Sequence, residues 1–142
     1  MTKQTSGKST VRLSWKDIEK AVDDIAKEAS KFKWDTIVAV MRGGMVPARM
    51  VAAKLGVENI VVWDKRHGEL GPVSGHVLIV DDICDTGKTL QDAKFVFGAP
   101  VAVIVSKREG PDYVGMLAAQ GSWVIFPWEG VADKIGARQS EE

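Results

Sequence analysis

Apolar residues in this chain form short continuous runs that alternate with segments of helical spacing. Four runs predict core strands, near residues 36–41, 59–63, 77–80 and 101–105. Because successive side chains of a strand point to opposite faces, a run that is apolar throughout indicates a strand buried on both sides, as in a parallel sheet. A last short strand is predicted within residues 123–129.

Helices are predicted between these strands. Ser14 followed by Asp17 has the form of a capping box, and the spacing of the next apolar residues predicts a helix of about four turns that ends near Phe32. Pro47 stands near the start of a second helix, and Gly56 is its expected C-terminal cap. Strands that alternate with helices predict an α/β fold built on a doubly wound, mostly parallel sheet.

Composition narrows the class of protein. A chain of 142 residues with 45% hydrophobic and 27% charged residues is expected to be a single domain with a substantial core. Lys plus Arg and Asp plus Glu number 19 each, so bulk charge favours neither nucleic acid nor an anionic membrane as a partner. The single cysteine excludes an intramolecular disulfide and favours a reducing compartment. With no run long enough to span a bilayer, we expect a cytoplasmic protein without stable membrane insertion.

The expected boundaries follow from polarity. Residues 1–11 are predicted to be a flexible lead-in, residues 12–130 the folded domain, and residues 131–142 a polar tail.

The third core strand leads directly into a polar motif. Residues 77–80 are followed by Asp81 and Asp82, and then by Asp85-Thr86-Gly87-Lys88-Thr89 before another apolar helical stripe. Asp85 and Thr86 are suitable N-cap types for that helix. Carboxylates at a strand's carboxyl end suit a cation or sugar hydroxyls, and N–H groups at a helix's amino end suit a phosphate. The plain alternative is a strand followed by an acid-capped helix, but a second buried carboxylate is costly without a ligand.

Other chemistries for this motif are excluded or disfavoured. A P-loop ending in Gly87-Lys88-Thr89 would need glycine at position 82, which is aspartate. Cys84 has no sequence neighbour that would activate a thiolate, so we expect it to act as a small hydrophobic residue. The two histidines do not form a zinc spacing with it.

A second candidate anion site follows the first core strand. Arg42-Gly43-Gly44 combines glycines, which let backbone amides approach a ligand, with a fixed positive charge. Taken alone, the segment indicates a tight turn with a surface arginine equally well. Right-handed crossovers would bring Arg42, the acid motif and Lys107 to one edge of the sheet, where ligands of such folds bind.

Three segments carry a resemblance to a known family. Residues 77–89 resemble the phosphoribosyl-pyrophosphate loop of the type I phosphoribosyltransferases, and Arg42-Gly43-Gly44 resembles the pyrophosphate loop of the purine enzymes. The series from Lys107 through Trp123-Val124 to Trp128 resembles bacterial xanthine-guanine phosphoribosyltransferases. The resemblance covers roughly residues 12–130. It implies that family's fold, with a small base-binding hood from the C-terminal segment.

The resemblance also implies a reaction. The expected enzyme transfers the 5-phosphoribosyl group from phosphoribosyl pyrophosphate to a 6-oxopurine (guanine, xanthine or hypoxanthine) in purine salvage and releases pyrophosphate. Mg²⁺ is the implied cofactor, the implied partners are these small molecules and not nucleic acid, and a homodimer or homotetramer is expected. The implied site residues are Asp85 as catalytic acid/base, Asp81 and Asp82 for ribose, Asp81 for the metal, Thr86, Gly87, Lys88 and Thr89 for phosphate, Arg42 and Gly43 for pyrophosphate, and Lys107, Trp123 and Val124 for the base.

Several alternatives stay open at this stage. The polar loop after residue 63 is expected to be mobile, but it is shorter than the family's closing loop and lacks the Ser-Tyr pair of many relatives. Lys65 and Arg66 either reach pyrophosphate or belong to a solvated charge run. Lys107 is alternatively a surface residue, and Trp123 a packing residue. The alternative functions are transfer to another nucleobase and non-catalytic regulation through RNA or an effector.

Overall fold

The computed structural model describes residues 9–130 and has eight strands and three helices in that range. In chain order they are β1 (Thr10–Arg12), α1 (Trp15–Ala29), β2 (Thr36–Val40), α2 (Met45–Leu55), β3 (Asn59–Asp64), β4 (Gly68–Leu70), β5 (Val77–Cys84), α3 (Lys88–Phe97), β6 (Val101–Ser106), β7 (Tyr113–Leu117) and β8 (Trp123–Ile125). Thr10 and Val11, at the end of the predicted lead-in, form part of β1. The first part of the lead-in and the predicted tail from residue 131 lie outside the described residues.

Six strands form the main sheet in the order β4-β3-β2-β5-β6-β7, in which only the β3–β4 pair is antiparallel. α1 and α2 cover one face, and α3 packs on the other. Every residue of β2 and β6 is buried, as expected of strands with helices on both sides. The predicted doubly wound, mostly parallel sheet is therefore confirmed.

The helix boundaries follow from their caps. Ser14 and Asp17 form both hydrogen bonds of the predicted capping box, at 2.8 and 3.1 Å, and α1 then ends at Ala29 rather than near Phe32. Gly56 caps α2 with φ of 71°, a conformation that glycine adopts without strain, so this prediction is confirmed.

Three strands were not predicted from the sequence. Part of the polar segment after residue 63 forms β4, which pairs with β3 as an antiparallel hairpin. β7 adds the edge strand of the main sheet, where Gly115 lets α1 approach closely: a Cβ atom there would lie 2.6 Å from Ala21 Cβ and 2.7 Å from Ile104 O. β1 pairs in parallel with β8 as a separate small sheet, with Thr10 opposite Trp123.

Candidate active site

Two buried carboxylates lie on β5. Asp81 and Asp82 are both fully buried, and the Asp82 N–H donates to Asp81 Oδ1 at 2.7 Å. The strand was predicted to end at Val80, but pairing with β6 carries it on to Cys84. β2 stops pairing one residue before Asp81, because its last partner on β5 is Val80. The acids therefore lie where β5 continues past its last paired residue with β2.

The Arg-Gly-Gly segment lies between the end of β2 and the start of α2. The Met41–Arg42 peptide is cis, Arg42 is exposed, and Gly43 and Gly44 are buried. A Cβ atom on Gly44 would lie 2.5 Å from Val80 O and 2.7 Å from Val40 O, so only glycine fits here. This close approach brings the start of α2 against Val80 of β5, the residue that precedes the two acids.

The predicted phosphate loop joins β5 to α3. Its N-cap residue is Gly87, with φ of 88°, and not Asp85 or Thr86 as predicted. The Thr86 hydroxyl instead accepts a hydrogen bond from the Lys88 N–H at 3.3 Å. An α-helix leaves its first N–H groups without an intrahelical partner, so the loop presents donors and the positive end of a helix dipole at this edge.

Lys107 connects the end of β6 to this loop. Its ammonium group lies 3.3 Å from Asp85 Oδ2 and donates to Ser122 O at 2.7 Å, and its side chain is only 3% exposed. The alternative of a surface lysine is therefore wrong. A buried ammonium needs such compensation, because removal of the charge from water is costly. The lysine thus joins Asp85 to the segment that precedes Trp123.

The small β1–β8 sheet holds Trp123 and Val124, two of the three predicted base-contacting residues. Trp123 is half-buried and Val124 is buried. After β8, Trp128 stacks on Phe126 with a centroid distance of 4.9 Å, and the Phe126 N–H donates to Glu129 Oε1 at 2.8 Å. Glu129 thus closes the turn after β8.

The hairpin after β3 has its tip at the same sheet edge. Lys65 pairs with Asp92 of α3 at 2.7 Å, and Arg66 is exposed. The His67 ring hydrogen-bonds to Asp64, and this bond, helped by the Arg66 N–H, holds the pKa of the Asp64 carboxyl below its usual value. The tip of the hairpin is thus held by contacts within it and by one ion pair with α3.

The carboxylates are suitable for Mg²⁺. Among residues 9–130 no group of three or more His, Cys, Asp or Glu side chains is placed to hold a metal ion. Mg²⁺ is commonly bound through one or two carboxylates together with substrate phosphates, and its preferred donors are oxygen atoms. Asp81 and Asp82 supply hard oxygen donors next to a predicted phosphate site, so this donor set fits.

Cys84 and Trp63 behave as packing residues. Cys84 is buried, as expected. Trp63 is 4% exposed and meets Phe97 edge-to-face at 6.1 Å. Within the described range, no helix is both long and apolar enough to cross a membrane.

Sequence reasoning missed one residue beside the phosphate loop. The Arg108 guanidinium donates to Thr86 O through Nη1. The one available signal was its position directly after Lys107, which the predicted site already included.

Comparisons with known proteins show the family and agree with the fold. The model of the phosphoribosyl transferase domain family matches residues 13–99. Two curated relatives are named xanthine-guanine phosphoribosyltransferase. The one from Desulfotalea psychrophila is 29% identical over 86% of this chain and 88% of its own, and the one from Cereibacter sphaeroides is 33% identical over 68% of this chain and 70% of its own. A solved purine phosphoribosyltransferase from Pyrococcus horikoshii is 29% identical, with a TM-score of 0.73 over 88% of this chain and 97% of its own.

Proposed function

Since the chain belongs to the phosphoribosyl transferase domain family, we propose that it transfers the 5-phosphoribosyl group of phosphoribosyl pyrophosphate to a 6-oxopurine. The observation that carries this proposal is the contact between Lys107 and Asp85 at 3.3 Å. It joins the segment assigned to the base with the residue assigned to proton transfer. Guanine, xanthine and hypoxanthine are the proposed acceptors, because the lysine ammonium suits a carbonyl oxygen and because curated relatives carry the xanthine-guanine name.

The ribose and its phosphate lie, in this proposal, along the loop between β5 and α3. The α3 amino end with residues Thr86 to Thr89 holds the 5′-phosphate. Asp81 and Asp82 accept hydrogen bonds from the ribose hydroxyls. Both carboxylates are fully buried, and hydrogen bonds from a polar ligand contribute to offsetting the cost of burying them.

The pyrophosphate lies beside Arg42 and the Gly43 backbone. A nitrogen of the base attacks C1′, the bond from C1′ to the pyrophosphate oxygen breaks, and negative charge grows on the departing group. The fixed charge of Arg42 stabilises that group. Mg²⁺, held by Asp81 with Asp82 beside it, would supply further stabilisation of the leaving group when bound.

Asp85 exchanges a proton with the purine at N7 as general acid/base. Lys107 donates to the 6-oxo group, Trp123 stacks on the ring, and the Val124 backbone contacts the 2-position. Because Lys107 touches both Asp85 and Ser122 O, binding of the purine exchanges existing contacts of one ammonium group for new ones. The proposed enzyme works in the cytoplasm as a homodimer or homotetramer.

Pyrophosphate release tests this proposal. The assay contains phosphoribosyl pyrophosphate and Mg²⁺, with guanine, hypoxanthine, xanthine, adenine or uracil supplied separately. We expect turnover with the oxopurines, at least about 100-fold slower in Asp85→Asn, as for loss of a general acid/base. The matched control is Asp24→Asn, which changes an exposed acid of α1 and should keep wild-type turnover.

Each other outcome has a definite meaning. Turnover only with adenine or uracil would reject the roles of Lys107 and Trp123 but keep the reaction class. If phosphoribosyl pyrophosphate binds and no base reacts, the chain is a regulator. Retention on RNA that weakens with salt would then identify its ligand class.

A further inference from the structure

Two neighbouring residues at the end of β6 hold two neighbouring residues of the phosphate loop. Lys107 contacts Asp85, and Arg108 donates to Thr86 O. The Arg108 side chain also lies against Gly87, since a Cβ atom on that glycine would be 3.6 Å from Arg108 Cδ and 3.7 Å from Nε. The arginine therefore touches the Thr86–Gly87 peptide from one side.

The backbone of Arg108 is itself fixed. The Ser106 hydroxyl donates to Arg108 O, and the Arg108 N–H lies 3.3 Å from the same hydroxyl oxygen. Ser106 is fully buried and pairs with Cys84 of β5. The guanidinium thus extends from a rigid turn at the end of the sheet.

This contact determines the orientation of one peptide plane. Within residues 9–130 the cis peptide is Met41–Arg42, so Thr86–Gly87 is trans, and its C=O and N–H point in opposite directions. While Arg108 holds the Thr86 carbonyl, the Gly87 N–H points away from Arg108. Gly87 has φ of 88° and no Cβ, so without this restraint its peptide could rotate at little cost. Rotation would turn a carbonyl oxygen to where the N–H had been.

We propose that Arg108 is a positioning residue for the phosphate loop, which fixes the Thr86–Gly87 peptide so that the Gly87 N–H can donate to the substrate's 5′-phosphate. This inference rests on the proposed function, because it requires the loop to bind that phosphate. It adds a residue that acts through the backbone and needs no direct contact with the reacting atoms. Thr86, Gly87 and Arg108 also line one cavity of about 320 Å³.

The experiment uses binding without turnover. Affinity for ribose 5-phosphate is measured by calorimetry, the Gly87 amide is followed by ¹H–¹⁵N NMR, and KM and kcat are measured for phosphoribosyl pyrophosphate. Arg108→Met keeps the aliphatic stem over Gly87 and removes the donors, whereas Arg108→Lys keeps a charge and a donor. Arg49→Met, on an exposed arginine of α2, is the matched control.

In Arg108→Met we expect ribose 5-phosphate binding about tenfold weaker and KM for phosphoribosyl pyrophosphate about tenfold higher, the factor that corresponds to one net hydrogen bond. We expect kcat to change less than twofold and the Gly87 resonance to shift even without ligand. Arg108→Lys should recover most of the affinity, and Arg49→Met should match the wild type.

Unchanged ribose 5-phosphate affinity in Arg108→Met, with the loop resonances in place, would overturn the positioning role and leave the proposed function intact. A higher KM for the purine alone would overturn it as well. If the wild-type protein fails to bind ribose 5-phosphate, the phosphate assignment of the proposed function is wrong and this inference is wrong with it. Because Arg108 is exposed, we expect both variants to fold, and near-ultraviolet circular dichroism checks this.

Discussion

Gly44→Ala tests whether close backbone packing shapes the proposed pyrophosphate site. The added Cβ would lie 2.5 Å from Val80 O and 2.7 Å from Val40 O, whereas real Cβ contacts stay beyond 3.0 Å. The segment must therefore move by about 0.5 Å against two backbone atoms that belong to core strands. Overpacking of this kind costs about 1–3 kcal/mol, and the lower entropy of unfolded alanine returns about 0.4–1 kcal/mol. We expect a net loss of about 1–2 kcal/mol in the free energy of unfolding.

The same displacement should move Arg42 and Gly43 away from the position proposed for the pyrophosphate. We expect KM for phosphoribosyl pyrophosphate to rise at least about fivefold, since a misplaced positioning group is costly to catalysis. Urea unfolding measures the stability, and steady-state kinetics measure KM.

Two glycines provide controls for this experiment. Gly115→Ala creates a conflict of similar size, 2.6 Å from Ala21 Cβ, but in the packing of α1 on β7. It should lower stability and leave KM unchanged. Gly130→Ala meets no atom within 4 Å and should change neither quantity. Wild-type stability and KM in Gly44→Ala would refute the reasoning, as would an equal rise in KM in Gly115→Ala.

Two further predictions concern charged groups at the same edge of the sheet. Lys107→Met should raise KM for the purine at least about tenfold and KM for phosphoribosyl pyrophosphate much less, because a charge-assisted contact with the base worth about 1.5–3 kcal/mol is lost. Steady-state kinetics with each substrate varied in turn will measure both KM values. An equal rise in both would contradict the assignment of Lys107 to the base. His67→Ala should raise the lowered pKa of Asp64, measured by ¹³C NMR titration. Since that pKa is depressed in the folded protein, the pairing stabilises the fold above the carboxyl's ordinary pKa and is lost as pH falls through the lowered value. An unmoved titration would show that His67 is not the cause.

Much of the main sheet could be predicted because its strands are buried on both faces. β6 is apolar at five of its six positions, and such a continuous apolar run predicts a buried strand directly. The end of β5 could not be predicted, since it depends on how far β6 continues alongside Asp81 and Asp82. Strand ends set by a non-local partner leave no local pattern.

Three further features could not be predicted from the sequence, because each depends on contacts that have no local sequence pattern. β4 has three residues and is held by pairing with β3 and by polar contacts at the tip, so its sequence suggests a loop. The N-cap residue of α3 is Gly87 and not Asp85 or Thr86, because the backbone conformation of the loop outweighs the capping preference of their side chains. Arg108 was missed because exposed arginines usually have no structural role, and only the position of Thr86 O distinguishes this one.

The pairing of β1 with β8 has a consequence for the order in which the protein folds. Thr10 pairs with Trp123, so this small sheet joins segments from opposite ends of the described chain. Closing so long a loop costs conformational entropy, so we expect the two segments to pair only after the intervening strands have brought them together. The contacts of Lys107 and Arg108 with the loop between β5 and α3, by contrast, span only 22 positions in sequence. During synthesis, therefore, the loop proposed to bind the sugar phosphate can form before the small sheet, and the surface proposed to select the base is completed last.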